Sequence, residues 1–173
     1  MDILKLSKIF DLMYEGRNVG NVNLPTEESI IEIEKGIGCS LPPSLIWLSQ
    51  NCNYFGKWFA SLGGDFENPD HILNINKIFR EPDLDNPKAG LPDWYVMLNL
   101  GFDENCIGFD SRSQDPETGE YPLIYWDSSE GIGFTPDDAM SMEAYLNKLV
   151  VFWISQVVNE SKKERIKNII KNQ

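Results

Sequence analysis

Apolar residues recur at helical spacing near both ends of the chain. Close to the N-terminus they predict an amphipathic helix over residues 2–15, whose apolar positions are Ile3, Leu6, Ile9, Phe10 and Met13. Close to the C-terminus they predict a closing helix that begins near Ser141, with a broad apolar face formed by Tyr145, Leu146, Leu149, Val150, Trp153, Ile154 and Val157. We expect both helices to pack on a common core.

Two further helices joined by a turn are predicted in the first third of the chain. The first begins near Pro25 and ends at Gly36, because glycine takes the left-handed conformation of a helix C-cap without strain. Pro42 and Pro43 fit the first turn of the second helix, where a missing amide donor costs nothing, and residues 51–56 end it.

The remaining apolar segments predict strands at residues 57–62, 71–79, 94–100, 106–109 and 121–126. The last three are expected to form an antiparallel sheet, with the polar segment 111–120 as a connection rich in turn-forming residues. Helices followed by strands and then by a helix predict an α+β fold. We expect a single domain with a mostly antiparallel sheet, packed with N-terminal and C-terminal helices.

A series of short motifs along the chain points to a family. A helix ending in Ile-Gly, then Leu-Pro, a short helix and an Asn/Gly-containing turn lie in IIEIEKGIGCSLPPSLIWLSQNCNYFG, residues 30–56. The strands at Trp94–Leu100, Cys106–Asp110 and Tyr121–Asp127 follow, and then a helix introduced by AMSMEAYL. This order and spacing resembles the SMI1/KNR4 family of the SUKH superfamily.

The resemblance implies a domain organisation and a function. Residues 25–158 would form the family domain, after an N-terminal helix and loop (1–24) and before a basic helical tail (159–173). Bacterial members of the family look like noncatalytic immunity proteins that neutralise polymorphic toxins, often nucleases, by direct contact without a cofactor. Fungal members are regulatory scaffolds with long disordered flanks. We expect this chain to lack such flanks, which favours the function of the bacterial members and leaves a scaffold role as the alternative.

Charge along the chain is strongly polarised. The total is −12, and residues 83–138 carry thirteen acidic side chains against Lys88 and Arg112, a net charge of −11. Such a surface repels nucleic acid phosphates and steers a basic protein toward itself, although solubility alone also explains an acidic composition. We therefore expect a protein partner, a basic toxin domain, and neither nucleic acid nor membrane binding.

The expected partner contacts lie in this acidic segment, at predicted strand ends and in loops. The acidic candidates are Asp103, Glu104, Asp110, Asp127, Glu130, Asp137 and Asp138. Aromatic anchors are expected at Trp94, Tyr95 and Trp126, although aromatic residues on strands more often belong to the core.

Catalytic and metal-binding patterns are scarce in the sequence. His71 is the single histidine, which excludes a multi-histidine metal site and leaves a hydrolase built on His71, or on an acidic pair such as Asp103 with Glu104, as an alternative. Residues 110–115 superficially resemble a calcium loop, but Arg112 and Gln114 stand where oxygen ligands are needed. We expect no catalytic residue, metal or cofactor.

Cysteines and terminal segments bear on the cellular compartment. Cys39, Cys52 and Cys106 are odd in number and irregularly spaced, which indicates reduced thiols. The first 16 residues lack the apolar segment of a signal peptide, so we expect a cytoplasmic protein, as a monomer or weak homodimer. Residues 161–173 form a basic amphipathic pattern that continues the closing helix as a solvated end or, alternatively, binds a membrane surface.

Overall fold

A computed structural model describes residues 3–15, 24–52, 59–63, 71–81, 90–100, 105–127, 132–133, 140–156 and 159–171. Within these residues the helices are α1 Ile3–Tyr14, α2 Glu27–Ile37, α3 Pro43–Asn51, α4 Ile72–Arg80, α5 Met142–Gln156 and α6 Glu160–Lys171. The strands are β1 Tyr95–Leu100, β2 Asn105–Asp110, β3 Leu123–Asp127 and β4 Ile132–Gly133, in one antiparallel sheet of that order. The predicted single α+β domain is confirmed.

The helix pair α2–α3 forms as predicted, except at one boundary. Thr26 caps α2 in a reciprocal box with Ser29, and α2 ends at Ile37 with Gly38 as its left-handed C-cap at φ 82°. The predicted end at Gly36 is wrong, because the helix continues far enough to bury Ile37. Gly36 serves packing instead: a Cβ there would lie 2.7 Å from a methyl carbon of Leu73 in α4.

Residues 71–79 form a helix, so the strand predicted there is wrong. The backbone amide of Leu73 donates to Nδ1 of His71, which makes the histidine the N-cap of α4. Ile72, Ile75, Asn76 and Phe79 then face the sheet at helical spacing. Of the strand predicted at 57–62, residues 57 and 58 lie outside the described residues, and Ser61 makes an isolated bridge with His71 in place of a strand.

Helix α4 covers the outer edge of β1. The side-chain oxygen of Asn76 accepts from the amide of Met97 at 2.7 Å, and its nitrogen donates to the Met97 carbonyl at 2.9 Å. Farther along the strand, Ala60 donates its amide to the Leu98 carbonyl at 2.6 Å. An edge strand exposes unpaired backbone groups that invite association, and here those groups are bonded within the chain.

Both faces of the sheet carry an apolar core. The larger core joins one face of the sheet to the helices, and the strand residues in it are Val96, Leu98, Ile107, Phe109 and Leu123. The smaller core lies on the opposite face, under α4 and the segment before β1, and consists of Leu91, Tyr95, Met97, Cys106, Ile124 and Trp126. The sheet is thus a central layer.

Helix α5 confirms the predicted closing helix. It begins at Met142, and the hydroxyl of Ser141 accepts the amide of Ala144 at 3.1 Å as a cap. The predicted apolar face is buried at Tyr145, Leu146, Leu149 and Val150. Val157 lies outside the described residues, and so does the side chain of Trp153.

The basic tail is a separate helix rather than a continuation of α5. Asn159 is not helical, and its side chain accepts the amide of Lys162 at 3.0 Å, so α6 has its own N-terminal cap. Helix α6 then packs along α1 and buries Ile166 completely.

Helices α1 and α6 lie antiparallel and bond each other's ends. The ammonium of Lys162 donates to the carbonyls of Met13 and Glu15, at 3.3 and 3.2 Å, where α1 ends. At the opposite end of the pair, Lys5 donates to the carbonyl of Ile170 at 3.5 Å. Lysine near a helix C-terminus satisfies carbonyls that lack intrahelical partners, so part of the tail's positive charge stabilises the fold.

Candidate partner-binding surface

Three predicted aromatic anchors meet on the face of the sheet that carries the smaller core. The ring centroids of Trp94 and Trp126 lie 6.0 Å apart at 73°, and those of Tyr95 and Trp126 lie 5.6 Å apart. Tyr95 is fully buried and Trp126 is 6% exposed, so both side chains belong to the core. Trp94, which is half-buried, is the member of this trio that can contact a partner without rearrangement.

Tyr95 crosses the sheet above Gly108, and the glycine makes this possible. A Cβ at position 108 would lie 2.7 Å from the Tyr95 ring and 2.2 Å from the carbonyl oxygen of Val96. The Tyr95 hydroxyl reaches the carbonyls of Cys106 and Ile124, at 3.1 and 3.2 Å. Desolvation raises the pKa of Tyr95, so the hydroxyl keeps its proton and ties β1 to β2 and β3.

Asp110 lies beside this cluster, where its charge is balanced by Arg112. The guanidinium donates twice to the carboxylate, at 2.8 and 2.7 Å, and stacks 4.3 Å from the centroid of the Trp94 ring. The hydrogen bond from Arg112 lowers the pKa of Asp110 below its ordinary value. Trp94, Asp110 and Arg112 therefore form a nearly neutral amphipathic patch.

The connection between β2 and β3 carries acids of two kinds. Asp115 and Glu117 are exposed, and Asp115 shapes the turn by accepting the amide of Glu117 at 2.8 Å. Glu120 instead faces the fold, where it accepts the amide and hydroxyl of Ser44 at 2.7 Å each. A carboxylate at the start of α3 complements the positive end of that helix.

The predicted acidic contacts are distributed unevenly over the described chain. Asp110 joins the aromatic patch, and Asp127 ends β3, paired with Asn105 of β2 and Ile132 of β4. Five further candidates lie outside the described residues: Asp103, Glu104, Glu130, Asp137 and Asp138. The structure thus brings Asp110 together with Trp94, Tyr95 and Trp126.

His71 occupies a structural position. Its side chain is fully buried, and Nδ1 accepts a backbone amide at the start of α4. The ring therefore caps a helix, and a substrate could not reach it in this conformation. In the described part of the chain, no group of three histidine, cysteine or acidic residues is arranged to hold a metal ion.

Two residues of this region, Arg112 and Glu120, are not among the contacts predicted from sequence. Arg112 was counted as one of two cations in an acidic segment, whereas it stacks on Trp94 and pairs with Asp110. Glu120 was not singled out, and its partner Ser44 lies 76 positions away, so no local pattern could reveal it. The Asp-x-Arg spacing at 110–112 was a usable local signal for the ion pair.

The described residues thus form an α+β domain in which a half-buried tryptophan lies beside an acidic connection. The model of the SMI1 / KNR4 family (SUKH-1) matches residues 24–148, well over half of the chain. The protein therefore belongs to the SMI1/KNR4 family. A search of curated proteins finds no significant match.

Family membership supports an immunity-protein-like role, since members are generally noncatalytic immunity proteins that contact a protein partner. None of the helices in the described ranges is both long and apolar enough to span a bilayer. Helix α1 and helix α6 lie outside the match; they contact each other, and α1 also contacts α3 and α5.

Proposed function

We propose that this protein is an immunity protein that binds and neutralises a basic toxin domain, such as a nuclease, without chemistry of its own. The observation that carries the proposal is membership of the SMI1/KNR4 family. The proposed domain spans residues 25–158, acts in the cytoplasm as a monomer or weak homodimer, and needs no cofactor.

Charge supports a basic partner. A nuclease presents cations to phosphate, so an acidic protein can occupy the same surface and exclude the substrate. Exposed Asp115 and Glu117 contribute unbalanced charge, whereas Asp110 is paired with Arg112. The proposed acidic contacts are Asp103, Glu104, Asp127, Glu130, Asp137 and Asp138, now extended by Asp115 and Glu117.

Trp94 is the proposed aromatic anchor. Tryptophan and arginine are enriched among the residues that dominate binding energy at interfaces, and Trp94 with Arg112 offers both on one half-buried patch. Acidic residues around such a patch would set the association rate and the choice of partner.

Co-expression with the toxin domain encoded beside this protein tests the proposal. We expect the wild type to restore growth and to co-purify with the toxin, and the double variant Asp115→Lys with Glu117→Lys to lose much of that protection. A matched control is Glu32→Lys with Glu81→Lys, which reverses two exposed acids outside residues 83–138. Toxicity unchanged by the wild type would refute the immunity role.

A further inference from the structure

A second feature of the acidic connection is a pocket on the side of the sheet that faces the helices. Its volume is about 220 Å³, and it lies where α1, the start of α3, the end of the connection and the start of α5 converge. The apolar walls are formed by Leu6, Tyr121, Met142 and Leu146, all of them buried. Glu120 and Glu143 line the same pocket.

Electrostatics favour a cation in this pocket. Two helices begin at its wall, and a helix N-terminus carries about +0.5 of an elementary charge. Besides these helix ends, the pocket lining carries two carboxylates, those of Glu120 and Glu143. Among the described residues that line the pocket, none is basic.

The two carboxylates of the pocket differ in how they are held and in how exposed they are. Glu120 is held by its two hydrogen bonds to Ser44, so its position is fixed before any ligand arrives. A carboxylate offers about four lone-pair sites, and these two bonds leave acceptor capacity unused. Glu143 is exposed in the first turn of α5 and lies at the solvent side of the pocket.

The volume of the pocket and its lining residues indicate which ligand it can bind. Pockets for cofactors and drug-sized molecules typically measure about 300–1,000 Å³, so this space suits a single long side chain. Lysine and arginine combine an aliphatic stem, which the apolar walls can contact, with a charged head for the carboxylates. We propose that the pocket between α3 and α5 receives one lysine or arginine side chain of a protein partner.

This inference rests on the proposed function and deepens it, because the inserted side chain would belong to the basic toxin domain. It also assigns a role to α1, which lies outside the family match but supplies Leu6 to the wall.

A small probe tests the pocket without any toxin. N-acetyl-argininamide, titrated into the full-length protein, should shift the NMR signals of Ser44, Met142 and Leu146 saturably at millimolar concentration. Uncharged N-acetyl-norleucinamide should shift them far less, and Glu143→Lys should abolish the arginine effect. Absence of saturable shifts at these residues with the arginine probe, in a folded wild type, overturns the proposal.

The affinity for the adjacent toxin domain then distinguishes the proposed pocket from the proposed immunity role. Glu143→Lys should weaken binding about tenfold or more, as expected for reversing a charge that contacts a cation of the partner, and Glu143→Gln less. The control Glu32→Lys makes the same charge change on an exposed residue that neither lines the pocket nor belongs to the proposed contacts, and should weaken binding less than Glu143→Lys. Equal losses would overturn the pocket while leaving the immunity role intact. A wild type that binds the arginine probe but not the toxin would uphold the pocket and refute that role.

Discussion

Replacement of Asn76 should destabilise the protein far more than its position on a nine-residue helix suggests. Asn76 is 1% exposed and bonds both backbone groups of Met97, as well as the carbonyl of Ile72. Asn76→Ala would leave the buried Met97 amide without its acceptor, at about 1–3 kcal/mol, and would remove a donor from the Met97 carbonyl. The expected loss in the free energy of unfolding is about 2–4 kcal/mol.

Urea denaturation followed by tryptophan fluorescence measures this loss, since Trp94 and Trp126 report on the core that Asn76 adjoins. For a domain of this size the loss corresponds to a fall in Tm of roughly 4–16 °C. Asn76→Leu conserves volume but cannot pair with the strand, so it should cost about as much as Asn76→Ala if hydrogen bonds dominate.

Lys77→Ala is the matched control, because Lys77 is the exposed neighbour on the same helix. Its expected effect is within about 0.5 kcal/mol, as for ordinary surface substitutions. If Asn76→Ala and Asn76→Leu both unfolded at the same urea concentration as Lys77→Ala, the edge-capping role of Asn76 would be refuted.

Three more predictions concern the sheet, a thiol and the terminal helices. Gly108→Ala should cost about 2–3 kcal/mol of unfolding free energy by overpacking, since its Cβ would meet a backbone oxygen of β1 at 2.2 Å; a loss below about 1 kcal/mol in denaturation would contradict this. Cys106 is buried, and desolvation raises the pKa of its thiol to about 11, so it should resist a thiol reagent at pH 8 until the protein unfolds. Half-buried Cys39 should react first. Equal reaction rates of the two thiols, measured by peptide mass spectrometry, would contradict the burial of Cys106. Ile166→Ala should lower the free energy of unfolding by about 2–4 kcal/mol, measured by thermal or urea denaturation, because Ile166 is fully buried. Ile170→Ala should lower it much less, because Ile170 is 36% exposed. Similar small losses for both variants would show that α6 does not stabilise the fold.

Periodicity predicted the elements with a strong local signal. The apolar spacing of α1 and α5 is helical over several turns, and Pro43 marks the start of α3. Strands β1 to β3 follow one another along the chain without an intervening helix, so their antiparallel order could also be inferred. The α2 boundary differed by two residues because two glycines, Gly36 and Gly38, both suited a C-cap in sequence.

Helix α4 escaped prediction because its signal is short and ambiguous. His71-Ile72-Leu73 begins like a strand, and nine residues give few turns in which to see helical spacing. What stabilises the helix is tertiary, since Asn76 bonds a strand 21 residues farther along the chain.

The sequence predicted which residues belong to the candidate surface better than it predicted which of them are buried. The acidic segment and Trp94 were identified from sequence, but burial of Tyr95 and Trp126 depends on how α4 covers the sheet. The pairing of Glu120 with Ser44 and of Lys162 with Met13 joins distant segments, and no local pattern encodes such contacts.

The most direct test of the immunity role is the association of the purified protein with the adjacent toxin domain, measured by surface plasmon resonance over a range of salt concentrations. We expect tight binding with an association rate that falls steeply with salt. The double variant Asp115→Lys with Glu117→Lys should associate more slowly than the control Glu32→Lys with Glu81→Lys. No binding would contradict the immunity role, and so would an association rate that changes neither with salt nor in either double variant.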